Sequence, residues 1–154
     1  FPGMPLRILK DDFDLTLLDS LGKRVTWLQE VCDELQLKRV ACVHARAEEF
    51  AMQHREQFDI ATSRAVAQLS ILSELCLPLI KVGGQFIAMK SVDTEDEIDA
   101  AKSAIKTLGG HIVKVEDYTI PTSDVVHRLV IVEKVSPTPR AYPRAFAKIK
   151  KAPL

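Results

Sequence analysis

The sequence is sparing with the residues that build stapled or membrane-bound frameworks. Of its 154 residues only three are cysteine, Cys32, Cys42 and Cys76, and no C-x-x-C spacing occurs. An odd number with that spacing argues against a disulfide framework or a zinc ribbon. Each cysteine lies in an apolar stretch, so all three read as reduced core residues of a cytoplasmic protein. No apolar run approaches the ~20 residues that cross a bilayer. The opening FPGMPLRILK has no initiator methionine and lacks the charged start and apolar core of a signal peptide. Four histidines (His44, His54, His111, His127) show no metal spacing. No Ser, His and acid set stands out as a nucleophilic triad. The expectation is a chain without metal, membrane span or triad chemistry.

Net charge is also missing, with 21 basic residues against 21 acidic ones. That zero hides an asymmetry. From Lys134 onward there are six cations (Lys134, Arg140, Arg144, Lys148, Lys150, Lys151) and no acid, which leaves 15 against 21 in the preceding residues. An acidic-leaning body with a basic end points to a polyanionic partner.

What is present is a sound globular composition, 47% apolar and 27% charged, enough to bury one core and too apolar for disorder. Two periods alternate along it. DLTLLD (14–19) reads as a strand buried on both faces. In SLGKRVTWLQEVCDELQL, Leu21, Val25, Leu28, Cys32 and Leu35 form one helical face that Ser20 is placed to cap. VACVH (40–44) reads as a strand, ARAEEFAMQH as a short helix and FDIATS (58–63) as a strand. The next helix carries Ala65, Leu69, Leu72, Cys76 and Leu79, with Pro78 breaking it near the end. Gly83-Gly84 predicts a turn into the strand QFIAMK. Thr94 with Glu97 forms a capping box for a helix whose stripe is Ile98, Ala101, Ile105 and Leu108, and Gly109 stops it. HIVKVEDY (111–118) and HRLVIVEKV (127–135) are the last strands. The proline-containing residues after them predict an extended, loosely docked tail.

Alternating strands and helices predict an α/β fold with a mostly parallel sheet. Only TIPTSDVV separates the last two strands, too short for a parallel crossover, so they form an antiparallel hairpin. Dinucleotide dehydrogenases are usually parallel throughout, whereas S-adenosylmethionine methyltransferases end in such a hairpin, an analogy of fold.

Ligands of an open α/β sheet bind at the carboxyl ends of its strands. Asp19 closes the first complete strand, where it either accepts from ribose hydroxyls or caps the following helix. Ala47 and Glu48 open a helical turn whose backbone N–H groups either meet an adenine edge or simply start a helix. Arg64 directly follows a strand, as a carboxylate's partner or a substrate contact. Lys90 repeats that position one strand later, with a solvated strand end as the plainer reading. In the tail, Arg140, Arg144 and Lys148 with Tyr142 and Phe146 combine cations for phosphate with rings for bases; a solvated terminus is the commoner reading.

LLDSLGKRVTWL, HARAEEF, FDIATSRAVAQLSILSELCLPLIKVGG, LGG and TPRAYPR, in that order, resemble the bacterial small-subunit (16S) ribosomal RNA guanine-N7 methyltransferase family, also called glucose-inhibited division protein B. The resemblance implies a Rossmann-like class I methyltransferase sheet using S-adenosyl-L-methionine on small-subunit ribosomal RNA. In that family FPG ends a glycine-rich GxGxGFPG stretch that a first strand precedes. The resemblance therefore implies that Phe1 stands inside the cofactor loop, with the first strand outside this chain and two sheet edges left unpaired. By the same similarity Phe1 and Gly3 border the cofactor, Asp19 holds its ribose, Ala47 and Glu48 read its adenine, and Arg64 lies beside it and faces the guanine. Lys90, Arg140, Arg144 and Lys148 are placed at RNA by position and charge. The domain reading is a methyltransferase domain over 1–135 and a basic tail over 136–154. Two rivals remain: a nicotinamide-dependent oxidoreductase, and a non-catalytic RNA-binding assembly factor.

Overall fold

The computed structural model describes residues 1–64 and 67–154 and divides into two compact units, Phe1–Phe50 and Ala51–Leu154. In the first, α1 (Gly3–Leu9) packs on β1 (Leu15–Asp19), followed by α2 (Gly22–Glu34), β2 (Val40–His44) and the start of α3 (Ala47–Gln53). β1 and β2 pair in parallel from Leu15↔Val40 to Asp19↔His44. In α1, Gly3 sits where an added Cβ would come 2.9 Å from Leu17 Cδ2.

Two local expectations fail in this unit. β1 is not buried on both faces: Leu17 is buried and its four strand neighbours only partly so. Nor does Ser20 cap α2, whose N-cap is Leu21. The carboxylate of Asp19 takes the capping role, accepting the Leu21 N–H at 2.9 Å. On the α2 stripe Val25 and Cys32 are buried, while Leu21 and Leu35 at its ends are exposed.

In the second unit the strands β3 (Phe58–Ser63), β4 (Ile80–Ser91), β5 (Gly110–Thr119) and β6 (Val126–Lys134) form a sheet in the order β3-β4-β6-β5. β3 and β4 are parallel, and β6 is antiparallel to both β4 and β5. Three strands thus run one way and β6, wedged between β4 and β5, runs against them. The antiparallel last hairpin is where the sequence put it. α4 (Leu69–Cys76) gives way to a 3₁₀ turn at Leu77–Leu79, since Pro78 has no N–H to continue the helix. The predicted start of that helix at Ala65 lies outside the described residues.

The core joins Leu69, Leu72, Leu77, Ile80, Phe86, Ala88, Ile105, Leu108, Val130 and Val132, with all of the predicted stripe Ile98, Ala101, Ile105 and Leu108 inside it. A side chain of this size contributes about 1.5–3 kcal/mol by leaving water. Gly109 ends α5 (Glu95–Thr107) as expected: its φ of +86° and the carbonyl of Ser136 against its missing Cβ admit no larger residue.

Three further expectations are corrected here. Gly83-Gly84 is no turn, because β4 runs through it. The register steps from Phe58↔Ile80 to Ile60↔Gln85, leaving extra residues on β4 as a bulge with Gly83 at φ +89°. The capping box does not close. Thr94 Oγ1 donates to Ser91 O at 3.0 Å, and Glu97 Oε1 instead accepts the Leu69 N–H at 2.5 Å. The tail is not loose either, since α6 (Phe146–Lys151) inserts Ile149, fully buried, and Leu154 packs against the core.

Candidate functional site

Parallel strands deliver their carboxyl ends to one rim, so each unit has such a rim. In the first unit it is built by Asp19, His44 and the segment that leads into α3. Asp19 Oδ1 holds the Leu21 N–H, and Oδ2 accepts from Arg24 Nη1 at 2.6 Å. Its side chain keeps 19% exposure, and a carboxylate has about four acceptor positions, so capacity for hydroxyl donors remains. The capping and binding readings of Asp19 are compatible. Across the ladder, His44 Nε2 lies 3.2 Å from Ser20 O and Ala45 N donates to Asp19 O at 3.2 Å, fixing the two strand exits against each other.

Ala47 and Glu48 are the first residues of α3, where N–H groups lack intrahelical acceptors. Glu48 is buried, with Arg46 Nη1 3.9 Å from its carboxylate. Gly3 lies in the first turn of α1, and Phe1 is exposed at 72%. The sequence missed Arg24, although a cation five residues after a strand-end carboxylate is a readable signal.

In the second unit the rim carries Arg64, exposed and directly after β3, and Lys90 near the end of β4. Lys90 is not a solvated strand end. Its side chain is 7% exposed, and Nζ reaches Glu97 Oε1 at 2.6 Å and Ala67 O at 2.9 Å. Ser63 Oγ is buried without a hydrogen-bond partner among the described residues. At the same end Arg128 clasps Asp117 (2.6 and 2.8 Å) and Glu95 (2.6 Å), holding both carboxyls below their usual range. A depression lined by Asp59, Ile60, Lys81 and 82–85 lies at the opposite end of the strands and contains none of the predicted site residues.

The basic residues of the C-terminal segment separate into two sets. Lys134 is fully buried, and its Nζ donates to Glu56 Oε1 (3.1 Å), Leu77 O (2.7 Å) and Ile80 O (3.0 Å). Burial pulls the lysine pKa down and Glu56 opposes it, but three acceptors around one nitrogen require the ammonium form. Burial works against ionised Glu56 too, yet the Thr138 N–H and Lys134 hold its carboxyl below the usual range. Arg144 grips the fully buried Glu74 through Nε (2.8 Å), Nη2 (2.6 Å) and its own backbone N–H (2.9 Å). Lys134 and Arg144 are therefore structural ion-pair partners. Arg140, Lys148, Lys150 and Lys151 are exposed, and no hydrogen bond or ion pair engages their side chains among the described residues.

All three cysteines are free, but only Cys32 is a core residue; Cys42 and Cys76 are partly buried. Burial pushes Cys76 up to about 12 and, with Cys32 beside it, Cys42 up to about 11. Among the described residues no group of three His, Cys, Asp or Glu is arranged to hold a metal ion, and no helix is long and apolar enough to cross a membrane.

Residues 1–126 match the family described as rRNA small subunit methyltransferase G. Relatives of that name in Clostridium botulinum and Clostridium tetani are 51% and 48% identical over the whole chain, which spans 65% of their length. Among solved structures the fold is similar to an rRNA methylase from Streptococcus thermophilus (TM-score 0.57, 14% identity, 80% of this chain and 74% of that one). It is also similar to M. jannaschii TYW2 in complex with AdoMet (TM-score 0.66, 14% identity, 86% of this chain and 63% of that one). The α/β sheet with its reversed β6 is thus that of class I methyltransferases, and the chain belongs to the rRNA small subunit methyltransferase G family.

Proposed function

We propose that the chain serves an S-adenosyl-L-methionine-dependent methyltransfer to N7 of a guanine in small-subunit ribosomal RNA, in the cytoplasm. Membership of the family over residues 1–126 carries this reading. The residues present fit the cofactor. Asp19 ends β1 with acceptor capacity to spare, and α3 begins with N–H donors that have no intrahelical acceptor. In this reading the methyltransferase domain covers 1–135 and the basic segment 136–154 serves RNA.

S-adenosyl-L-methionine, when bound, supplies the methyl group on a sulfonium. Asp19 accepts from the ribose hydroxyls, and the Ala47 and Glu48 N–H groups read the adenine edge. Phe1 and Gly3 border the cofactor, and Arg64 lies beside it and orients the incoming guanine. Guanine N7 carries its lone pair in the ring plane, so no general base is needed. What these residues contribute is alignment, which supplies up to about 7–11 kcal/mol in well-placed cases. Lys90, tied to Glu97 and Ala67 O, supports the rim from within.

The test is methyl transfer to small-subunit ribosomal RNA from a strain lacking the modification, with cofactor affinity measured by calorimetry. Asp19→Asn keeps the Leu21 cap acceptor and should weaken the cofactor at least tenfold. Affinity for NAD in place of S-adenosyl-L-methionine would favour the oxidoreductase rival. RNA binding without methyl transfer would favour the assembly factor.

A further inference from the structure

Arg55 lies between α3 and β3 and is engaged entirely by backbone. Its guanidinium donates to Tyr142 O at 2.7 Å, Pro139 O at 3.0 Å and Thr138 O. Those carbonyls stand on both sides of Arg140. A turn in which the Tyr142 N–H donates to Pro139 O at 3.0 Å holds the intervening residues. Glu56, the next residue, accepts the Thr138 N–H at 2.8 Å, and Thr138 Oγ1 donates to Leu108 O. Glu74 then fixes Arg144, and Ile149 anchors α6 in the unit. Arg140 and the lysines of α6 are thus mounted on backbone that is pinned at successive points. Ile149 faces inward, so Lys148 and Lys150 flank it at about 100° on either side and Lys151 lies nearly opposite.

We propose that residues 138–151 form a preformed phosphate-binding strap. Arg140, Lys148, Lys150 and Lys151 contact the backbone of an RNA strand, and Arg55, Glu56 and Glu74 act as positioning residues. This deepens the reading above and rests on RNA being the substrate. It differs from a basic tail that orders on binding. The ordering entropy of the segment is spent in folding, so binding does not meet that cost again. Four unpaired cations on a strap without one acid attract a polyanion, and on a phosphate backbone they displace its condensed counterions, which makes binding salt-dependent. The division of labour is sharp: the cations that touch carboxylates inside, Lys134 and Arg144, are withheld from RNA.

The experiment measures binding of the chain to single-stranded oligouridylate at several salt concentrations. The double variant Arg140→Gln, Lys148→Gln removes two exposed charges and no internal contact. It should lower the salt slope by about 1.4 and weaken binding roughly tenfold near ~150 mM salt. Arg55→Gln keeps every tail cation. Well below its melting temperature it should also bind more weakly with a shallower slope, and Arg55→Lys should recover part of both. An unchanged slope in the double variant overturns the strap as the phosphate site. An unchanged slope in Arg55→Gln, with only its melting temperature lowered, overturns the positioning role. Wild-type protein that binds S-adenosyl-L-methionine but shows no salt-dependent oligouridylate binding overturns the strap and spares the methyltransferase reading. Salt-dependent binding without methyl transfer does the reverse.

Discussion

The two units of this chain rest on different physics. In Phe1–Phe50, among the described residues, only Leu17, Val25, Cys32 and Phe50 are buried apolar side chains, and Phe1, Ile8, Leu9 and Trp27 are more than half exposed. Two of its ion pairs, Arg24–Asp19 and Arg39–Asp14, involve exposed arginines, where such pairs contribute about 0–1 kcal/mol, and the third, from exposed Arg46 to buried Glu48, is long at 3.9 Å. In Ala51–Leu154 an apolar core surrounds charges that water does not reach, Lys134 and Glu74. The first unit is a shallow scaffold that holds a rim in place. The second is a deep one whose stability depends on charges matched over long sequence separations.

The sharpest way to break that contrast is at Glu74. Arg144→Ala strands a fully buried carboxylate and should cost about 3–5 kcal/mol in urea unfolding. Glu74→Leu should cost much less, because Arg144, at 24% exposure, can turn to water. Equal costs would mean that the pair is no more than a packing contact. A smaller effect compares the cores. Leu17→Ala, at a site with little around it, should fall near ~2 kcal/mol, the low end for such truncations. Amides of β1 and β2 should exchange with solvent faster than those of β4 and β6; equal protection would show one cooperative unit. The smallest effect is in pH. The Glu56 pKa lies below its ordinary value of 4.5 in the folded chain. Its contribution is therefore present above that value and fades as pH falls through it. Glu56→Gln should flatten the acid loss of stability measured from about pH 6 to about pH 3.

Local signals made the elements legible. The α5 stripe, the Gly109 stop, the Pro78 break and the short hairpin loop each act within a few residues, and all four stand in the structure. What the sequence hid acts at a distance. Thr94 and Glu97 have the spacing of a capping box, but the Leu69 N–H and the Lys90 ammonium compete for Glu97 and win. The strand buried on both faces was inferred from an apolar run, which says nothing of how much cover the neighbours provide. The tail looked solvated because its partners, Arg55, Glu56 and Glu74, lie about eighty residues away. One clue was readable: a glutamate inside LSILSELCLPLI must find a cation or remain unpaired in an apolar face. Asp19, Ala47 and Glu48 were legible at the first rim because strand exits and helix starts fix them locally. Lys90 was not, since nothing nearby in sequence announces that its ammonium is enclosed.

The wedge position of β6 sets a timetable. β4 has β3 on one side and finds its second neighbour only when residues 127–133 arrive, some forty positions later, and β5 has no other ladder to join. On a ribosome the middle of this sheet is the last part to be made. Until then two strands wait with bare amides, so loop closure of this length sets the pace of assembly. A nascent chain halted before Val126 would expose the seam that β6 fills, and chaperone dependence should end abruptly once that strand emerges.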